Sequence, residues 1–113
     1  MEKTLFPEAD SRLDVITPGK VTRRIKAYGL KAMMVEVYFE TGAVGTDHSH
    51  QHEQLSYCLE GEFEFRIGSD AHRVVRGDSV LVPGGAVHGV TCLKKGRLLD
   101  VFSPIREDFL ARP

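Results

Sequence analysis

Between residues 31 and 40 the chain alternates. Met33, Val35, Val37 and Phe39 share one face and Met34, Glu36 and Tyr38 the other, the period of two expected of a half-buried strand. The outer set is unusually bulky for a fully solvated face. The same period recurs over residues 62–67, where Phe63, Phe65 and Ile67 alternate with charged side chains. Shorter runs predict strands over 21–28, 54–59, 72–75, 79–82, 88–93 and 97–103. Between them stand turn signals: Pro18-Gly19, Glu60-Gly61, Gly68-Ser69-Asp70, Arg76-Gly77-Asp78, Pro83-Gly84-Gly85 and Lys94-Lys95-Gly96. Pro104 stops the last run, and only residues 106–111, REDFLA, predict a short helical turn. Residues 1–12, with Pro7 and mixed charge, read as an irregular N-terminal arm, which leaves 13–113 as one domain.

Many short strands, Gly and Pro turns and almost no helical periodicity define an all-β class, an antiparallel sandwich or barrel. At 113 residues the natural closure is a small jelly-roll barrel with a mouth open to a ligand. A chain of this length buries roughly two thirds of its unfolded surface and needs no disulfide. Charge narrows the partner. Fifteen Lys and Arg stand against sixteen Asp and Glu, in no long block of either sign, which argues against nucleic acid or an anionic membrane and for a small molecule. No apolar run approaches the ~20 residues of a membrane span, and the polar, acidic N-terminus lacks a signal-peptide pattern, so a cytoplasmic location is expected. Cys58 and Cys92 fit as reduced, buried thiols within strands.

The candidate chemistry lies in residues 42–61, GAVGTDHSHQHEQLSYCLEG, where His48, His50 and His52 precede Gln54. In extended chain His48 and His50 project to the same side, so their imidazoles can converge on one metal ion. Such a site needs further donors, and Gln54 and the distant His88 are the candidates. His52 reads as a supporting or loop histidine, or as a further ligand, and His72 as a surface residue.

These spacings carry a resemblance. Gly42, five residues, His48-x-His50, three residues, Gln54, six residues, Gly61 resembles the first cupin motif, with glutamine where many members have glutamate. Gly77, five residues, Pro83-x-Gly85, two residues, His88 is similar to the second, although Cys92 stands where asparagine is frequent. The resemblance implies a cupin jelly roll and one divalent transition metal ion, Ni, Fe, Mn or Zn, held by His48, His50, Gln54 and His88 with positions open to solvent. It also implies a homodimer. Glycines at 42, 61, 77 and 85 are expected where strands reverse and φ is positive.

Within that family the chain resembles the KdgF-type proteins of pectin and alginate breakdown, through the tail Leu99-Asp100-Val101-Phe102-Ser103-Pro104-Ile105-Arg106-Glu107-Asp108-Phe109. The resemblance implies an enzyme that converts a 4,5-unsaturated monouronate, a sugar acid, to its linear 4-deoxy-5-keto form, with Asp100, Phe102 and Arg106 beside the metal. Asp100 and Phe102 share a strand face, and a guanidinium suits a carboxylate. Burial would raise the Asp100 pKa, as a general acid requires. Structural roles stand beside these: Asp100 paired with Arg97 or Arg106, Phe102 as core, Arg106 paired with Glu107 and Asp108. A metal-dependent dioxygenase and a non-catalytic sugar-binding cupin are the alternative functions.

Overall fold

The computed structural model describes residues 3–111. The first two residues of the expected arm and the last two of the expected domain lie outside them. Eight strands run β1 (Leu13–Thr17), β2 (Val21–Tyr28), β3 (Met33–Phe39), β4 (Val44–His48), β5 (Glu53–Ile67), β6 (Asp70–Val75), β7 (Ser79–Val82) and β8 (His88–Ser103). A 3-10 turn, Glu8–Asp10, precedes them and one short helix, α1 (Glu107–Leu110), follows.

All pairings are antiparallel, in the order β1-β2-β3-β8-β5-β6, with β4 added to β8 and β7 to β5. The C-terminal half of β8 pairs with β3 and its N-terminal half with β4, while β5 takes β7 on its first half and β6 on its second. Strands β5 and β8 therefore pass from one layer of the jelly roll to the other. The expected jelly roll is present, but among the described residues its hydrogen-bonded sheet stays open at its ends and does not close into a ring.

Two turn expectations are corrected. Glu60-Gly61 and Lys94-Lys95-Gly96 do not reverse the chain, so four expected strands are two long ones, of 15 and 16 residues. The register slips where these segments face each other, at the steps Cys58/Glu60, Glu60/Glu62 and Glu62/Phe63. Bulges bend a strand without ending it. Glycine is required there for proximity: a Cβ on Gly61, whose φ is +90°, would stand 2.6 Å from the carbonyl oxygens of Lys94 and Lys95, and one on Gly96 would overlap the Glu60 carbonyl. A glycine inside a strand run marks close backbone approach as readily as a turn. Strands β1 and β4 bury little: four of the five β1 residues, and four of the five in β4, are exposed.

The layers enclose Val21, Phe39, Cys58, Phe63, Phe65, Val82, Cys92 and Leu98, with Phe39 and Phe63 edge to face at 5.3 Å. Fully burying Phe63 and Phe65 contributes about 1.5–3 kcal/mol each. Both cysteines are unpaired and buried, and burial pushes both thiols above their usual pKa. The bulky outer set of β3 is explained by Glu36, 5% exposed, which accepts from Arg97 at 2.5 Å and from Tyr38 at 2.9 Å. Helix α1 packs Phe109 and Leu110 onto a second cluster of Met33, Val35 and Phe102, capping the mouth of the roll.

Candidate metal centre and cavity

His48 ends β4 and His88 begins β8, directly opposite each other in register. His50 lies in the connection that follows, where the Gly85 N–H donates to the His50 carbonyl at 2.8 Å. A Cβ on Gly84 would overlap the Gln51 carbonyl. The Pro83-Gly84-Gly85 turn thus cradles the loop of the first motif against the histidine of the second. The His48, His50 and His88 rings stand at centroid separations of 5.5, 4.5 and 4.7 Å. One ligand atom from each lies within 4.8 Å of the others, so the three form a group able to hold a metal ion.

Backbone carbonyls choose the tautomers. Nδ1 of His48 lies 2.9 Å from the Thr46 oxygen, that of His50 3.0 Å from His52, and that of His88 3.0 Å from Ala86. A carbonyl only accepts, so each Nδ1 carries a hydrogen and each neutral ring presents its Nε2 lone pair to the group. Burial lowers the pKa of His50 and His88, aided by the Arg106 charge and by neighbouring imidazoles, which keeps both rings neutral near pH 7. Gln54, 6% exposed near the start of β5, brings its Oε1 to 3.2 Å from His50 Nε2. Two acceptors then face each other, an arrangement that a shared cation relieves. The donor set of three imidazoles and one amide oxygen fits a divalent transition metal and leaves the ion its full charge.

Beside this group a cavity of about 350 Å³ opens, lined by His48, His88, Gln54, Asp100, Phe102 and Arg106 among others. Asp100 and Phe102, on one face of β8, pair with Ser56 and Gln54 of β5. Asp100 is 8% exposed, and burial pushes its carboxyl up to about 6 against the opposing pull of a Ser56 hydrogen bond and the Arg106 charge. Phe102 is buried, 5.9 Å from the His50 ring. Arg106 stacks over Phe102 at 5.1 Å and donates to both oxygens of Asp108 at 3.1 and 2.9 Å. Of the structural readings, Arg106 with Asp108 is present, whereas Arg97 pairs with Glu36 and Glu60.

Three residues near the site had no role assigned from the sequence. Arg23 of β2, held by buried Asp14 at 3.2 Å, and Phe109 of α1 both line the cavity, with Arg23 3.7 Å and Arg106 4.1 Å from the Phe109 centroid. Ser56, 1% exposed, bridges Gln54 and Asp100. Its signal was legible, since Gln54, Ser56 and Cys58 share one strand parity, which puts a small hydroxyl on the inward face. His52 lies 5.4 Å from the His50 ring, outside the three-histidine group, and its buried Nδ1 has no hydrogen-bond partner among the described residues. His72 is exposed, as expected.

A two-layered antiparallel roll with three converging histidines at its mouth defines a metal-binding cupin, and residues 35–102 match the family described as Cupin domain. The chain belongs to that family and, within it, to the KdgF type. It is 39% identical over 92 residues to the pectin degradation protein KdgF of Dickeya dadantii, covering 80% of this chain and 84% of that protein. Among solved structures, KdgF from Halomonas sp. superposes with a TM-score of 0.87 at 33% identity, over 94% of this chain and 99% of that one. An RmlC-like cupin from Shewanella frigidimarina does so with a TM-score of 0.88 at 34% identity, over 96% of both chains.

Proposed function

We propose that this protein, in pectin or alginate breakdown, converts 4,5-unsaturated monouronates to linear 4-deoxy-5-keto uronates. The observation that carries the reading is the shared cavity: an acid with a raised pKa, an apolar wall and a guanidinium line it beside the three-histidine group. Kinship to proteins named for pectin degradation supports the substrate class.

The substrate is an enol ether bearing a carboxylate. Asp100 gives its proton to C4, the C4=C5 pair forms the new C–H bond, and water adds at C5 and loses a proton that restores Asp100. The C5–O5 bond of this hemiketal then breaks, its electrons leaving with O5, which takes up the proton released as the C5 hydroxyl becomes the ketone. C1 is left as an aldehyde hydrate, which sheds water, so the net change is an isomerisation. Arg106 anchors the C6 carboxylate and Phe102 sets the ring beside Asp100. A divalent ion held by His48, His50, Gln54 and His88 would supply Lewis-acid polarisation of bound oxygens and a positive field for the anionic substrate.

The test is ultraviolet absorbance of unsaturated galacturonate and of its alginate-derived counterpart, followed with protein and divalent metal. Accelerated loss by wild type, at least a hundredfold above Asp100→Ala, is the expected outcome. Decay at the buffer rate removes the reading, and tight binding without turnover assigns a sugar-binding role instead.

A further inference from the structure

Gln54, Ser56 and Asp100 form a continuous buried chain that runs from the first motif to the last strand. Gln54 Nε2 donates to Ser56 Oγ at 2.9 Å, and Ser56 Oγ donates to Asp100 Oδ1 at 2.6 Å. Ser56 follows Gln54 by two positions on β5, so both face inward, and it stands opposite Asp100 in the β5/β8 register.

A hydroxyl owns one hydrogen. Ser56 spends it on Asp100, so the end of the Gln54 amide turned toward Ser56 must be a donor, and the carbonyl oxygen must turn the other way. There it meets His50 Nε2 at 3.2 Å, on the side where a metal ligand has to present an oxygen. With the carboxyl ionised that hydrogen occupies Asp100 Oδ1, which leaves Oδ2 as the atom free to take up a transferable proton. One side chain therefore sets the orientation of two groups with different tasks.

We propose that Ser56 is a positioning residue that locks the Gln54 carbonyl toward the histidine group and confines the Asp100 proton to Oδ2, linking the metal centre to the acid. The Asp100 half of this rests on the uronate reading; the Gln54 half does not. Arg106 is the charged group acting on Asp100, and the neighbouring strands present Ser56 from β5 and Val35 from β3 to it.

The test uses Ser56→Ala, which removes one buried oxygen, and Ser56→Thr, which keeps the hydroxyl. Calorimetric titration of the metal-free chain with Ni²⁺ or Mn²⁺ is expected to show affinity roughly tenfold weaker in Ser56→Ala and within about threefold of wild type in Ser56→Thr. Because Ser56 acts through Gln54, Ser56→Ala adds little to Gln54→Ala in the double variant, a non-additivity that a general loss of packing does not produce. NMR titration of the Asp100 carboxyl in the same metal-free proteins is expected to move upward in Ser56→Ala and return in Ser56→Thr. Wild-type metal affinity in Ser56→Ala, or a loss that adds in full to that of Gln54→Ala, overturns the Gln54 half. An unmoved Asp100 titration overturns the other half. Neither readout requires turnover, so failure of the uronate assay is seen separately.

Discussion

Asp100 is held neutral by its surroundings more readily than a free aspartate. Its carboxyl is raised from 3.8 to about 6, with burial the dominant cause. The folded protein therefore binds a proton that the unfolded chain releases between those two values, and stability falls as pH rises through that window. Above it, the ionised carboxylate costs on the order of 3 kcal/mol. Asp100→Asn removes this cost, so the metal-free variant is expected to be more stable than wild type at pH 7.5, by roughly 1–3 kcal/mol in urea unfolding, with the difference shrinking toward pH 4. Its turnover of unsaturated uronate is expected to fall at least a hundredfold. Such an opposition marks a residue kept for chemistry, and an Asp100→Asn protein no more stable than wild type at pH 7.5 would falsify the burial argument. Arg106 divides differently. Arg106→Lys keeps the charge but loses the fork, so KM is expected to rise about tenfold with a smaller change in kcat.

At the scale of elements, β5 and β8 do the organising. Each is long enough to serve both layers, and both bend where Glu60-Gly61 meets Lys94-Gly96. The bend lets His88, at one end of β8, and Asp100 and Phe102, near the other, line one cavity. Gly61→Ala forces a side chain against two carbonyl oxygens in a left-handed backbone conformation. It is expected to cost about 3 kcal/mol or more, read as a lowered urea midpoint, whereas alanine at Gly68, whose Cβ position is open, is expected to cost about 1 kcal/mol from φ alone. The C-terminal segment closes the cavity from the other side. Phe109 packs on Phe102 at 5.6 Å, and Arg23 and Arg106 stack on its ring.

For the whole molecule, a metal ion held as proposed would act as a fastener. His48, His50, Gln54 and His88 come from β4, the following loop, β5 and β8, segments that have no common geometry in the unfolded chain. A ligand bound only by the folded state stabilises it by mass action, about 4 kcal/mol at a thousandfold excess over Kd. Divalent metal is therefore expected to raise the melting temperature by roughly 10 °C or more, reversed by chelator, and His88→Ala to abolish the rise. Much of this was legible in the chain. Alternation in β3 and the second half of β5, the turn chemistry at Gly68 and Gly77, and the spacing of His48, His50, Gln54 and His88 are local properties, set by strand parity and by backbone angles that each residue type allows. Tertiary structure alone decided the rest. Whether Gly61 and Gly96 reverse a strand or let two strands cross depends on what lies opposite, and each lies opposite the other's segment. The place of Arg23 in the cavity wall, held by Asp14, and the Ser56 bridge to Asp100 span 9 and 44 residues of sequence, and both contacts exist only once the strands have found their register. The raised pKa of Asp100 belongs to the same class, because desolvation is a property of the packed surroundings, which no single residue carries.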